Sequence, residues 1–387
     1  MPHALPRDSA ILLGFAIFVV AVIVTTIIVY GPNAHVGATS ISQEANNTSR
    51  QSAQEGANSV TMQDAAAAGQ VEAKKITFDP QRAVLGHREV IKDTIELVYQ
   101  TPEEAFQIPA KAVMFFAHGC SHSATDFFDK GEGCQKCIGL PIERTLVSNA
   151  LSRGFIVVAV SSVNRMSKCW SGKPDVSRVV SALEYVGKKV SMEGLPVAAV
   201  GASSGGRFVW ELGNRVQRVK AVAVQIMGVD SDRVTENSPA TIFWHMPRDR
   251  RTAHNNKEAV EEFTARKRPV LELTCNPQPL APSLFTSRMA SLSAAAAESI
   301  VGALRAAALL DDQGYLHQDP RRSEWREALA SVPDVASLGL EADKSSVSEL
   351  MNVAWAAHEF CDESYEEALD FLAHYTLNCS TKDCAPP

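Results

Sequence analysis

The feature that most constrains the fold is residues 196–206, where a short apolar run leads directly into Gly-x-Ser-x-Gly. Residues 207–212 continue with helical spacing, so the segment predicts a strand, a tight turn and a helix. Gly201 and Gly205 suit a turn so sharp that side chains two positions either side of Ser203 would collide. This turn would present the Ser203 hydroxyl beyond the strand end, which makes Ser203 a candidate nucleophile. The alternative is a purely structural glycine turn.

Apolar runs alternate with helix-like stretches over much of the chain. The predicted buried strands are 112–117, 155–160, 196–200, 219–226, 240–245 and 269–273, and the predicted helices are 141–152, 174–190, 206–217 and 256–266. Residues 94–99 alternate polar and apolar side chains, as an outer antiparallel strand does. This pattern predicts an α/β fold, with helices on both faces of a mostly parallel sheet. Residues 283–345 break the rhythm and predict a helical insertion, either a lid or a segment packed alongside the domain.

The amino-terminal part predicts membrane attachment. Residues 11–30 form an uncharged apolar span of 20 residues, long enough for a transmembrane helix and longer than the apolar region of a cleaved signal peptide, which is the alternative. We therefore expect residues 1–10 in the cytosol, a signal-anchor at 11–30 and a flexible stalk at 31–73. An α/β domain at 74–387 would then be lumenal or extracellular. The net charge of −7, without a long basic run, argues against nucleic-acid binding.

Cysteine usage agrees with that compartment. All eight cysteines follow the apolar span, at positions 120, 134, 137, 169, 275, 361, 379 and 384. An even number in a lumenal or extracellular domain predicts disulfides, although the spacing does not determine the pairing. Cys134 and Cys137 could instead form a redox pair; a zinc site is disfavoured because no second pair of ligands accompanies them. Asn46, Asn47 and Asn378 begin glycosylation sequons.

A serine nucleophile also requires donors to an oxyanion. His118-Gly119 directly follows the strand at 112–117, where a backbone N–H of Cys120 or Ser121 would contribute to an oxyanion hole, with the N–H of Ser204 as the second donor. His118 precedes the nucleophile in the chain, so it fits a loop-stabilising role better than that of the base. The alternative is a strand end that happens to carry His-Gly.

In a strand-turn-helix site of this kind, the orienting acid and the base follow later strands. Asp249 follows the strand at 240–245 across a short turn and is the candidate acid, although it could belong to a solvated cluster with neighbouring arginines. Asp230 and Asp232, which follow the preceding strand, are the second candidates for the acid.

No histidine follows the strand at 269–273 closely. His317, His358 and His374 remain further downstream. His358, on an apolar stretch after the insertion, is the preferred base and His317 the second choice, while the alternative for His358 is a buried structural role. A chain without a base would be a catalytically inactive relative.

Residues 116–127 resemble the Leu-His-Gly-Cys-x-Gln-x-Ala-x-Asp-Phe segment of secreted polyhydroxybutyrate depolymerases and feruloyl esterases. Cys169-Trp170 follows the next strand as the Cys-Trp pair of those enzymes does. The chain is also similar to plant and algal α/β-hydrolase-like proteins of unassigned function, which share Gly-Ala-Ser-Ser-Gly-Gly and His-Met-Pro-x-Asp. The resemblance covers about residues 112–275. It implies the α/β-hydrolase fold and a serine esterase, with Ser203 at the nucleophile position and Asp249 at the acid position, but no particular substrate.

The sequence therefore predicts a membrane-anchored serine esterase that acts on a small-molecule or polymer ester through Ser203, Asp249 and His358, with no cofactor and no metal. The alternative is an inactive α/β-hydrolase-like domain that binds a ligand or a partner. A third possibility is a redox protein that uses Cys134 and Cys137.

Overall fold

A computed structural model describes residues 78–333, 335 and 338–379 of the 387-residue chain. The predicted signal-anchor at 11–30, the predicted stalk at 31–73 and two of the sequon asparagines, Asn46 and Asn47, lie outside these residues. Across the described ranges, none of the helices combines the length and apolar character needed to cross a bilayer. The third sequon asparagine, Asn378, is described and exposed.

Eight strands form one sheet. Their bounds are β1 His87–Ile91, β2 Ile95–Gln100, β3 Ala112–Ala117, β4 Phe155–Val160, β5 Val197–Ala202, β6 Val219–Gln225, β7 Ala240–His245 and β8 Val270–Thr274. They lie in the order β1-β2-β4-β3-β5-β6-β7-β8. Only the β1–β2 and β2–β4 pairs are antiparallel. This order, with helices between the parallel strands, is that of the α/β-hydrolase fold, so the predicted mostly parallel sheet and its fold are confirmed.

The antiparallel end of the sheet differs from the sequence prediction in one respect. The strand expected at residues 94–99 forms as β2, but it pairs with β1 on one side and β4 on the other, so it is not the outer strand. The outer strand is β1, which the apolar pattern did not reveal. Its sequence is mostly polar and none of its five residues is buried, as is common for an edge strand.

Ten α-helices belong to the described residues. Their bounds are α1 Pro102–Phe106, α2 Pro141–Ser152, α3 Gly172–Lys189, α4 Ser204–Arg215, α5 Arg250–Ala265, α6 Pro282–Thr286, α7 Ala294–Ala306, α8 Trp325–Leu329, α9 Ser346–Trp355 and α10 Tyr365–Ala373. Side chains of the buried strands alternate between two cores, as Phe115 and Phe116 of β3 do. Helices α3 to α5 cover one core, and α2 with α6 to α10 cover the other.

The segment predicted as an insertion, residues 283–345, contributes to the core that α2 and α6 to α10 cover. Ile300 and Leu304 of α7 and Trp325 and Leu329 of α8 are buried in the same hydrophobic cluster as the strands. The segment therefore packs alongside the domain, which is one of the two arrangements expected from the sequence.

Three disulfides connect described cysteines, Cys120–Cys169, Cys134–Cys137 and Cys275–Cys361. Cys134 and Cys137 are each only 2% exposed. A redox protein needs an accessible, reactive thiol, so the burial of this bond argues against the redox hypothesis. The other two disulfides lie at the ends of strands and shape the candidate site.

Candidate active site

Ser203 occupies the sharp turn between β5 and α4. Its backbone has φ 54° and ψ −120°, a conformation that non-glycine residues rarely adopt. The flanking glycines leave no room for a side chain. A Cβ at Gly201 would lie 2.4 Å from the Gly205 carbonyl oxygen, and a Cβ at Gly205 would lie 2.3 Å from that of Ala117. The Ser203 N–H donates to the Gln225 carbonyl at the end of β6, at 2.9 Å.

Three side chains far apart in sequence form one hydrogen-bonded chain. His358 Nε2 lies 3.0 Å from Ser203 Oγ, and His358 Nδ1 lies 2.9 Å from Asp249 Oδ2. With the Asp249 carboxylate accepting from Nδ1–H, Nε2 is left with a lone pair that accepts the Ser203 hydroxyl proton. The imidazole is 47% exposed and the carboxylate 18%. The hydrogen-bonded side chains therefore lie at the surface of the domain, with the carboxylate partly buried.

Asp249 is held by the helix that it begins. It is the N-cap of α5: its Oδ1 accepts from the Thr252 N–H at 3.2 Å, and its Oδ2 accepts from the Thr252 hydroxyl at 2.8 Å. Burial raises the pKa of Asp249, but hydrogen bonds from His358 and Thr252 outweigh it and leave that pKa below its usual value. Asp249 therefore stays ionised and can orient the imidazole.

The loop that carries His358 is attached to the end of the sheet, although it follows the insertion in sequence. Cys361 in this loop is bonded to Cys275, which comes directly after β8. The buried side chain of Gln225 donates to the Cys361 carbonyl at 3.2 Å and accepts from the Cys361 N–H at 2.9 Å. In three dimensions, His358 therefore lies next to the last strands of the sheet.

Two arginines also hold this loop. Arg321 donates to the His358 carbonyl at 2.6 Å and also pairs with Glu359. Arg248, next to Asp249, packs over the Trp355 ring at 3.6 Å from its centroid and donates to the Trp355 carbonyl. Together these contacts fix the loop from Trp355 to Cys361.

The two backbone N–H groups expected to form an oxyanion hole both lack a partner among the described residues. They are the Ser204 N–H at the start of α4 and the Cys120 N–H after β3. Ser121, which the sequence offered as an alternative to Cys120, does not fit, because its N–H donates to the Ser167 carbonyl at 3.0 Å. The Cys120–Cys169 disulfide joins the loop after β3 to the loop after β4.

His118 has the structural role expected from its position. Its ring is fully buried, with Nδ1 at 2.6 Å from the Gly119 carbonyl and Nε2 accepting from the Ser162 N–H at 3.1 Å. Burial lowers the pKa of His118 to about 4, so the ring is neutral. The Trp170 indole donates to the His118 carbonyl at 2.8 Å and stacks on Phe208.

The remaining candidates from the sequence lie elsewhere. His317, Asp230 and Asp232 are exposed, and no hydrogen bond joins them to Ser203 or His358 in the described part of the chain. Conversely, sequence analysis missed Gln225 and Arg321. No motif marks either residue, because both act on a loop that is distant in sequence.

A cavity of about 750 Å³ lies at the opposite end of β8. It is lined by Lys267, Val270, Leu271, Phe371, Tyr375 and neighbouring residues, and it shares no lining residue with the hydrogen-bonded chain at Ser203.

No protein-family model matches the sequence, and no curated protein matches it. Among solved structures, the chain is similar to a thermostable esterase with 16% identity and a TM-score of 0.36, covering 50% of this chain and 55% of that one.

It is also similar to a lipase/esterase from Lactobacillus plantarum, with 10% identity, a TM-score of 0.34, and coverage of 49% of this chain and 91% of that one. A third is the acylaminoacyl peptidase of Pyrococcus horikoshii, with 13% identity, a TM-score of 0.38, and coverage of 54% and 39%. At scores this low the likeness carries no argument about function. The α/β-hydrolase fold of this chain is evident from its own strand order and connections.

Proposed function

We propose that the protein is a serine hydrolase that cleaves carboxylic esters, with Ser203 as nucleophile, His358 as general base and Asp249 as the orienting acid. The observation that carries the proposal is the continuous hydrogen-bonded chain from Ser203 Oγ through His358 to Asp249, at 3.0 and 2.9 Å. Both distances lie within the range for proton transfer. The three residues also occur in the chain order nucleophile, acid, base that this fold uses.

The reaction then takes two half-steps. In the first, Ser203 Oγ attacks the ester carbonyl carbon while its proton passes to His358 Nε2, and the negative charge develops on the carbonyl oxygen. The N–H groups of Cys120 and Ser204 are available to that oxygen. Collapse of the tetrahedral intermediate breaks the bond to the alcohol oxygen, which takes the proton from His358.

In the second half-step, water attacks the acyl group on Ser203 and gives a proton to His358 Nε2. The second tetrahedral intermediate releases the carboxylic acid and returns the proton to Ser203 Oγ. Asp249 remains ionised throughout and stabilises the imidazolium that forms in each half-step.

The alternative of an inactive binding domain depended on the lack of a base near Ser203. The hydrogen bond between His358 and Ser203 supports the enzyme over that alternative, because an imidazole in this position can accept from the serine hydroxyl. Nothing in the described residues gives a specific argument for a binding role instead.

A fluorophosphonate probe, which reacts with an activated serine, tests the proposal. We expect the wild-type protein to be labelled and both Ser203→Ala and His358→Ala to lose labelling and hydrolysis of p-nitrophenyl acetate. The matched controls are Ser299→Ala and His317→Ala, which replace exposed residues away from the site and should retain both. An unlabelled, folded wild-type protein would contradict the proposal.

We further propose that this domain is lumenal or extracellular and anchored by residues 11–30. Three disulfides between described cysteines fit an oxidising compartment, and the exposed Asn378 is open to glycosylation. Glycosidase treatment of the full chain made in eukaryotic cells should increase its gel mobility, and alkaline carbonate should leave it in the membrane pellet. Release by carbonate would contradict the anchor.

A further inference from the structure

A second imidazole, His122, lies in the loop that carries the oxyanion donor. The backbone N–H of His122 donates to the Gly119 carbonyl at 3.4 Å, which closes a tight turn around Cys120. His122 Nδ1 lies 3.0 Å from Asp126 Oδ2, and the His122 and Asp126 side chains are 14% and 9% exposed. This His–Asp pair is separate from the one formed by His358 and Asp249.

The His122 ring and Ser203 both lie next to Gly119. A Cβ added at Gly119 would lie 3.9 Å from His122 Cδ2 and 3.9 Å from Ser203 Cβ, so the ring and Ser203 flank the same glycine. The Nε2–H of this ring, one bond from Cδ2, has no acceptor in the described part of the chain.

The surroundings of His122 keep it protonated. Burial lowers its pKa, but the hydrogen bond to Asp126 and the nearby carboxyl groups of Glu143 and Glu359 outweigh burial and raise the pKa to about 9. His122 is then a cation at neutral pH, whereas neighbouring His118 is neutral.

The other charged groups near this loop are already paired. Glu359 accepts from Arg321 at 3.2 Å and from Asn352 at 3.0 Å. Glu143 lies with Glu349 in a buried pair whose raised pKa values keep a proton between them at neutral pH. Lys168 donates to the loop through the Ser121 carbonyl and the Ser123 hydroxyl. The Asp126 carboxylate is thus the direct partner of His122.

We propose that His122 is a fixed cation of the oxyanion site, which stabilises the negative charge on the substrate carbonyl oxygen while Ser203 attacks. It gives up no proton and acts beside the backbone N–H groups of Cys120 and Ser204. The inference rests on the proposed esterase function. It deepens that function by assigning a charged group to the step in which the tetrahedral intermediate forms.

The dependence of kcat/KM on pH tests the inference, with p-nitrophenyl acetate as substrate and correction for hydrolysis by buffer between pH 6 and 10.5. We expect the wild-type kcat/KM to fall above about pH 9, as His122 loses its proton. Asp126→Asn keeps the shape of the partner but removes its charge, so the fall should move towards neutral pH. His122→Gln should abolish this fall and lower kcat/KM at pH 8 by about 10- to 100-fold, mainly through kcat.

Two controls separate this role from a structural one and from failure of the esterase function. If the His122–Asp126 pair had only a structural role, Asp126→Asn would lower the melting temperature and kcat/KM together. The pH at which kcat/KM falls would then be the same as in the wild type. That result, or a wild-type rate that stays constant to pH 10.5, would overturn the role of His122 while Ser203 is still labelled by a fluorophosphonate. If wild-type Ser203 is not labelled at all, the esterase function fails and this inference fails with it. If His122→Gln does not fold, the wild-type and Asp126→Asn profiles decide.

Discussion

Single atoms decide whether the turn at Ser203 can form. Gly205 is the sharpest case, because an added Cβ would lie 2.3 Å from the Ala117 carbonyl oxygen and 2.5 Å from that of His118. Both neighbours are backbone atoms and cannot rotate away. We expect Gly205→Ala to lower the free energy of unfolding by about 3 kcal/mol and to abolish fluorophosphonate labelling. Gly302→Ala is the control, since nothing lies within 4 Å of its added Cβ; equal melting curves for the two variants would contradict this account.

Asp249 gives a second prediction at the residue scale. Its carboxylate accepts from His358 Nδ1–H and thereby leaves Nε2 free to accept the proton of Ser203. An amide in its place can donate to Nδ1 and favour the wrong tautomer, so Asp249→Asn should lower kcat by about 10⁴-fold, with a much smaller effect on KM. Asp232→Asn, at an exposed position, should leave kcat unchanged. A loss of less than tenfold in Asp249→Asn would assign the orienting role to another group.

At the scale of the elements, His358 is positioned by a loop that is attached to the end of a strand. The loop from Trp355 to Cys361 is joined to the end of β8 by the Cys275–Cys361 disulfide, which closes a separation of 86 residues. Loss of this bond should lower the free energy of unfolding by about 4.6 kcal/mol on the chain-entropy model. It should also allow His358 to move away from Ser203.

We therefore expect Cys275→Ser with Cys361→Ser to lower both the melting temperature and kcat, measured by calorimetry and by hydrolysis of p-nitrophenyl acetate. Cys134→Ser with Cys137→Ser removes a disulfide that spans only three residues, and it should leave kcat near that of the wild type. Equal kcat values for the two double variants would show that the disulfide does not help to position His358.

At the scale of the whole molecule, a buried acidic pair joins two helices of the same core. Glu143 on α2 and Glu349 on α9 are 1% and 3% exposed. Burial raises the pKa of Glu143 from 4.5 to about 7, and burial with the neighbouring charge raises that of Glu349 well above 4.5. The folded state thus binds these protons more tightly than the unfolded state. The contribution of this pair to stability therefore falls as pH rises from 4.5 through 7, and the loss from Glu143 is complete above pH 7.

Glu349→Gln removes one of the two ionisations and can still accept from the Ile142 N–H that Glu349 now bonds. We expect this variant to be more stable than the wild type by about 1 to 2 kcal/mol at pH 8, and to show a smaller difference at pH 5. Urea unfolding at the two pH values measures the effect, with the exposed Glu132→Gln as control. A Glu349→Gln variant less stable than the wild type at pH 8 would indicate that the ionised pair stabilises the fold.

The sequence by itself determined most of the elements and the turn at Ser203, because these depend on neighbours in the chain. Continuous apolar runs predict buried strands such as β3 and β4, whose bounds match the prediction. The spacing of Gly201, Ser203 and Gly205 predicts the turn. Edge strand β1 was missed, since exposed polar residues leave no period to detect.

Only the tertiary structure decided what lies around Ser203. The sequence could name His358 and His317 as candidates, but the contact with Ser203 depends on Gln225, on the Cys275–Cys361 disulfide and on Arg321, which come from three separate parts of the chain. The choice of Cys120 over Ser121 likewise depends on a carbonyl from another loop. Local patterns encode local conformation. Hydrogen bonds and disulfides between distant segments form only when the sheet brings its strand ends to one edge.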